Sequence, residues 1–442
     1  MEFHAVHANH MAINWQALAD HNGDAPLAEA VLEEKAYIIG RVGLSMLACG
    51  TGAWRIRSAM NTVAESLGVV CTASIGLLSL DYTCFENGKS FSQSWSLKNT
   101  GVNTDKLALL EHFVKAFPEH YSQLSGNAVS ARLDEINGTP GNYTPVALGL
   151  AAAFACCAFT FLLGGGPVEM LGAFCGAGVG NFVRVKLLHK KFTLFLCIFV
   201  SIALACATYA LAVGALEALF HVSSNHQVGY VCAALFIIPG FPFITSGIDM
   251  SKLDFRSGLE RLTYALMIIL VATMTAWVIA LALHLQPGNF PPLDLAPGVQ
   301  LALRLVASFC GVFGFSMMFN SPVAMAGTAA FVGAIANTLR LTLVDFSGLP
   351  PAVCAFVGAL TAGLIASLLN SRRGFPRITL TVPSIVIMVP GLYLYRGIYN
   401  FGAMALDDAS YWLISAALIV IALPLGLICA RILTDPEFRY CT

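Results

Sequence analysis

Two stretches decide the fold: Ile238-Pro239-Gly240-Phe241-Pro242-Phe243-Ile244 and Val389-Pro390-Gly391-Leu392-Tyr393-Leu394-Tyr395-Arg396-Gly397. Each places a Pro-Gly pair inside an apolar run long enough to cross a bilayer, which takes roughly 20 residues. Proline has no N–H to donate and clashes with the preceding turn, so each run reads as a broken helix, with Pro383 a further interruption of the second. A broken helix persists in hydrocarbon only where protein or a watery cavity satisfies the freed backbone groups. The N-terminus of the second half-helix carries unsatisfied N–H groups and the positive end of the helix dipole, which suits a carboxylate.

The two breaks belong to a longer duplication. Pro167-Val168-Glu169-Met170-Leu171-Gly172 returns as Pro322-Val323-Ala324-Met325-Ala326-Gly327, and Asn181 and Arg184 return as Asn337 and Arg340. With offsets of 151 to 156 residues, each copy holds five apolar segments. Five is odd, so the second copy enters the membrane upside down, as in transporters built from inverted repeats around a site near the midplane.

Composition agrees. Of 442 residues, 57% are hydrophobic and 11% charged, against about 25% charged in soluble domains. This excludes a soluble globular protein and a disordered one. A net charge of −1 supplies no field to attract nucleic acid. The thirteen cysteines sit mostly in apolar runs with no metal-binding spacing and read as packing. The expected spans are 146–163, 167–183, 192–216, 228–249, 259–285, 299–319, 322–344, 350–370, 380–400 and 410–433. Lys and Arg then fall on one side, at Arg184, Lys186, Lys190, Lys191, Lys252, Arg256, Arg261, Arg372, Arg373, Arg377, Arg431 and Arg439. The opposite loops carry only Asp294, Asp345, Asp407 and Asp408. The positive-inside bias makes the basic side cytosolic.

Residues 1–145 are different, with 9 basic and 14 acidic residues. They read as an α/β head on the cytosolic side, since the first twenty residues lack a signal-peptide pattern. A helical stretch covers 29–68, strands cover Val69–Phe85 and Ser90–Leu97 around a turn at Glu86-Asn87-Gly88-Lys89, and helices follow at Thr104–Phe117 and 120–136. The division is thus a head (1–144), a first five-helix repeat (145–290) and a second (291–442). The head shows no phosphate loop, nucleophile elbow or zinc signature, so no cofactor is called for and transport runs on a gradient. His4, His7 and His10 are metal ligands only if the terminus is ordered.

Ionisable groups in spans mark function by default. Arg396, a turn and a half past Pro390, reads either as the partner of a solute carboxylate or as a residue snorkelling beside its tyrosines. Arg304 and Arg340 read as snorkelling to the outer interface or, for a dianionic solute, as the second positive contact beside Arg396. Asp249 reads as a proton or ammonium partner, or as a cap at the inner end of its helix. Glu169 and Glu217, near helix ends, are weaker candidates. The solute site is expected from Pro239, Gly240, Pro242, Pro390, Gly391, Tyr393 and Arg396. Thr245, Ser246, Asn181, Asn320 and Asn337 either join it with neutral hydrogen bonds or bond a neighbouring helix.

Beyond the two break motifs, Gly40-Arg41, Gly50-Thr51-Gly52-Ala53-Trp54-Arg55-Ile56, Leu67-Gly68, Lys98-Asn99-Thr100-Gly101-Val102-Asn103, Phe313-Gly314-Phe315 and Phe319-Asn320-Ser321-Pro322 follow in order. With these the chain resembles the threonine/serine exporter family from about residue 30 to 434, N-terminal-type and C-terminal-type halves in one chain. It departs at Arg57, where the family usually shows an acidic residue. The resemblance implies a bacterial inner-membrane exporter of small hydroxy amino acids driven by the proton motive force. Relatives split into two chains imply dicarboxylate (succinate) export.

The reading is a polytopic α-helical membrane protein with ten transmembrane helices as two inverted five-helix repeats and an N-terminal cytosolic α/β domain. It is a secondary exporter of L-threonine and L-serine, alternatively of a C4-dicarboxylate, and in a third reading a membrane-bound enzyme with a catalytic head. Its partners are a small carboxylate solute, the lipid bilayer and protons as coupling ion. Nucleic acid is excluded, no metal is called for, and a homo-oligomer is compatible with the sequence.

Overall fold

The computed structural model describes residues 25–220, 224–285, 288–290 and 293–440, together with Ile13 and Trp15; His4, His7 and His10 lie outside them. The chain forms two compact units, Met1–Pro140 with Asp254–Ser257, and Gly141–Leu253 with Gly258–Thr442.

In the first unit, helices α1 (Leu32–Ala48) and α2 (Ala53–Ser66) precede strands β1 (Val70–Ile75), β2 (Ser79–Glu86) and β3 (Lys89–Ser96). Helices α3 (Thr104–Ala116) and α4 (Gly126–Gly138) follow. The sheet is antiparallel in the order β1-β2-β3, with Val70 opposite Phe85 and Ser79 opposite Ser96. At the β2–β3 turn, Asn87 and Gly88 both take positive φ (50° and 75°), the backbone a tight hairpin needs. The stretch expected as one strand, Val69–Phe85, is two. Gly76 N–H donates to Ser79 O at 2.8 Å and folds the chain back, a turn hidden by the apolar Leu77-Leu78 beside it. The helical stretch 29–68 is likewise two helices. Gly50 takes φ +79°, and a Cβ there would lie 2.5 Å from Gly101 O, so only glycine permits the break. Two of the family-like head motifs, those containing Gly50 and Gly101, therefore meet at that point.

The core of this unit is Ile38, Ile39, Val42, Met46, Ile56, Met60, Leu80, Leu107 and Phe113, all buried. Tyr82 crosses it and donates to Ala36 O at 2.9 Å. Lys35 pairs with Glu86 at 2.6 Å, Arg41 with Asp134, and Arg55 with Glu111. Arg57 reaches Asp254 at 2.5 Å, and Arg256 donates to Asp81 at 2.8 Å. The Ser94 hydroxyl, followed by Arg256, holds the Asp81 carboxyl below its ordinary range.

Among the described residues, the second unit has eight helices long and apolar enough to span a membrane. They are α5 (Pro145–Leu162), α6 (Pro167–His189), α7 (Leu194–Phe220), α10 (Phe255–Ala282), α11 (Pro297–Met318), α12 (Val323–Ser347), α13 (Pro351–Arg373) and α16 (Leu406–Thr434). Two further pairs are bent. The first joins α8 (Tyr230–Ala233, continuing as a 3₁₀ turn to Ile237) to α9 (Gly240–Ser251) at 53°. The second joins α14 (Arg377–Val386) to α15 (Gly391–Gly402) at 48°. Counting each bent pair as one span gives up to ten. Small residues carry the packing: a Cβ on Gly314 of α11 would lie 2.5 Å from Ala151 O of α5, and one on Gly426 of α16 2.5 Å from Phe356 O of α13.

The two breaks have one geometry. Pro239 caps α9 with φ −81° and ψ 57°, and Pro390 caps α15 with φ −82° and ψ 56°. In each, the glycine N–H donates to the carbonyl two residues back, Gly240 to Ile238 at 2.8 Å and Gly391 to Val389 at 2.9 Å. Proline thus sits at the centre of an inverse γ-turn, whose dihedrals its ring favours. The breaks also seat on each other. A Cβ on Gly240 would lie 3.1 Å from Val386 and 3.2 Å from Val389; one on Gly391 would lie 1.9 Å from Ile238 and 3.2 Å from Leu235. A shift of 151 residues carries each set of partners onto the other. Tyr230 and Tyr395 share a hydrogen bond at 2.6 Å across the same junction.

Gly391→Ala is expected to destabilise the protein by about 1–3 kcal/mol, the usual cost of overpacking. Gly327→Ala, with nothing near its Cβ position, leaves stability unchanged. Thermal unfolding of the detergent-solubilised variants checks both.

Candidate functional site

The second break opens onto a cavity of about 450 Å³, within the size range of small-molecule sites. Val389, Pro390, Gly391 and Tyr393 form one wall. The first turn of α15 begins there, and its N–H groups and dipole favour negative charge. Gln300 and Arg304 enter from α11, Arg340 from α12, Arg396 from α15 and Trp412 from α16; Gly164 and Phe290 close another side.

The electrostatics are one-sided. Three arginines line the cavity, and none of its described lining residues is Asp or Glu. Arg304 pairs with Asp345 at 2.5 Å, which neutralises it. Arg340 is oriented by Asn337, its Nε donating to Oδ1 at 2.9 Å. Asn337 in turn donates to Ser308 Oγ at 2.9 Å. Arg396 donates to Gly288 O at 2.5 Å and lies over the Trp412 ring at 4.8 Å. Among the described residues, neither Arg340 nor Arg396 pairs with a carboxylate. Burying charge this way is costly unless an anion completes the site. Chemically, the arrangement can grip a carboxylate between two planar donor forks.

Of the residues expected at the site, Pro390, Gly391, Tyr393 and Arg396 meet at this cavity. Of the two readings of Arg304 and Arg340, snorkelling and a place beside Arg396, the cavity lining agrees with the second. Their helices point them inward, which no single-helix reading can show. The remaining candidates lie elsewhere. Pro239, Gly240 and Pro242 form the first break, which is packed closed against Val386 and Val389. Thr245 bonds Phe241 O at 3.0 Å within its own helix, and Ser246 donates to Gly258 O at 2.8 Å. Asn181 donates to Leu148 O at 2.8 Å and accepts from Arg184, repeating the Asn337–Arg340 pairing in the other half. Asn320, at φ +61°, accepts from Asn142 N–H at 2.7 Å. Asp249 is fully buried in an ion pair with Arg261 at 3.2 Å. Sequence reasoning missed Trp412, Gln300 and the Arg304–Asp345 pair. The aromatic pair Tyr411-Trp412 early in the last span was the one visible signal.

A multi-pass membrane protein with a cation-lined cavity at a broken helix is a solute carrier in architecture. The comparisons make that class specific. Residues 37–284 match the family described as "Putative threonine/serine exporter", and residues 304–433 match "Threonine/Serine exporter, ThrE". The chain belongs to the threonine/serine exporter family, a family of transporters. A "Probable threonine/serine exporter" of Mycobacterium tuberculosis is 24% identical over 215 residues, 48% of this chain and 37% of that protein. A "Probable succinate transporter subunit YjjP" of Escherichia coli is 23% identical over 246 residues, 53% of this chain and 91% of that protein. Its namesake from Klebsiella aerogenes is 26% identical over 203 residues, 44% of this chain and 75% of that protein. The match thus spans little more than a third of the mycobacterial relative and most of each succinate-transporter subunit. No solved structure matches the chain.

The Asp249–Arg261 pair yields a stability prediction. Asp249→Ala strands a buried guanidinium and is expected to cost about 3–5 kcal/mol. Replacing both residues with apolar ones of similar size restores most of the loss. Unfolding midpoints of the single and double variants measure the difference.

Proposed function

We propose that this protein is a secondary exporter of small carboxylate solutes, built as two inverted five-helix repeats. The single observation that carries the reading is the presence of both Arg340 and Arg396 in the lining of the cavity at the Pro390 break, with no acidic wall among its described residues. Two uncompensated guanidinium forks fit a dianion, so the solute the geometry favours is a C4-dicarboxylate such as succinate. The resemblance to succinate-transporter subunits points the same way. A second reading, L-threonine and L-serine, is favoured by the family match. One arginine then takes the carboxylate, while the backbone carbonyls before the break take the ammonium.

The repeat reading draws support from the breaks. Reciprocal contacts related by one sequence shift are what a twofold axis produces. With five segments per copy, that axis lies in the membrane plane and the copies are inverted. Rocking one copy on the other at this junction would open the cavity to alternate sides. The charge distribution supports a cytosolic head in a bacterial inner membrane: Arg256, counted on the basic side, belongs to the same compact unit as the head. The division into 1–144, 145–290 and 291–442 follows this scheme, and the proton motive force is its energy source.

Reconstituted vesicles loaded with labelled succinate or with threonine and serine test the solute. Wild type is expected to release succinate faster than empty vesicles do. Arg396→Ala and Arg340→Ala each lower the rate by about tenfold or more, as loss of a charge-assisted bidentate contact implies. Asn337→Ala, which only frees Arg340, costs less. Release of threonine and serine but not succinate selects the second reading. Release of none of them ends both.

A further inference from the structure

The fully buried carboxyl of Glu169, in the first turn of α6, faces a histidine. His226 Nδ1 lies 2.7 Å from Glu169 Oε1, and Gly166 N–H donates to Glu169 Oε2 at 2.9 Å. The Glu169 side chain is 0% exposed and that of His226 15%, so the imidazole is the accessible edge of the pair. Tyr209 crosses from α7 and donates to His226 O at 2.6 Å. Glu217, one oxygen of which is buried without a described partner, and Cys232 are the other titratable groups facing the cluster. The corresponding residue of the second repeat is Ala324, so packing shared by the two repeats does not require the carboxyl.

We propose that Glu169 and His226 form the proton-carrying site of the transport cycle, an inference that rests on the transport reading above. One proton enters from water at His226 Nε2 while the shared Nδ1···Oε1 proton shifts to Glu169, so the pair passes from a charge of −1 to zero with no covalent bond exchanged. A neutral Glu169 accepts the Gly166 N–H more weakly than the carboxylate does. That bond holds the α5–α6 turn, whose Gly164 is in the wall of the arginine cavity. Protonation therefore loosens the wall of the solute site. The link runs Glu169, Gly166, Gly164, and its length is one turn.

The test uses the full chain in proteoliposomes, with labelled succinate and serine as probes. Two fluxes are compared: net flux driven by an imposed pH gradient, and solute exchange at equal pH. Wild type is expected to show both. Glu169→Gln, which keeps the shape and mimics the protonated acid, loses the gradient-driven flux and its pH dependence but keeps exchange. Glu169→Asp restores part of the gradient response. His226→Gln provides a second variant with the same expected loss, should Glu169→Gln fail to fold. A Glu169→Gln or His226→Gln protein as sensitive to the gradient as wild type overturns the proposal, as does parallel loss of exchange in a folded variant. Wild type that moves neither solute overturns the transport reading and the inference with it.

Discussion

The structure depends on two Pro-Gly turns packed against each other inside the membrane unit. Each proline interrupts a helix where it has no donor to give, Gly391 lets Ile238 approach to a distance no side chain permits, and Gly240 makes the tight reciprocal contact with Val386 and Val389. The junction joins elements 151 residues apart in sequence, with the Tyr230–Tyr395 bond as a polar clasp beside it. Its two halves are not equivalent in consequence. The first break is packed closed, and the second forms the wall of a cavity. Similar backbones therefore stand in different surroundings, and in the proposed account this is the asymmetry of a carrier caught open to one side.

Charge follows the same asymmetry. Asn181–Arg184 and Asn337–Arg340 are repeats of one local device, an asparagine accepting from an arginine a turn later. In the second half the arginine reaches the cavity, where Arg396 joins it. The first half spends its ionisable groups differently. Asp249 is consumed by Arg261, and Glu169 is coupled to His226. In the proposed account the halves divide the labour, one holding the anion and the other the proton.

Much of this was legible in the sequence, for reasons that can be named. The long spans follow from apolar length, the breaks from proline, and the hairpin at Asn87-Gly88 from its demand for positive φ. The choice between an inward aim and snorkelling for Arg304 and Arg340 was not legible, because a residue's place along a span does not tell which face its neighbours cover. Nor were the pairs Arg304–Asp345, Asp249–Arg261 and Glu169–His226, whose partners meet only after helices pack. The turn at Gly76 was masked by apolar residues on both sides. Nor was the partner of Arg57 legible: it is Asp254, nearly two hundred residues away.

The central claim is that the two halves cross the membrane with opposite polarity. It is tested most directly by single cysteines at Lys190 and Phe346, equivalent positions just past Arg184 and Arg340, in a background stripped of native cysteines. A membrane-impermeant thiol reagent applied to intact cells is expected to label Phe346→Cys at once and Lys190→Cys only after permeabilisation. Labelling of both from the same side would contradict the account.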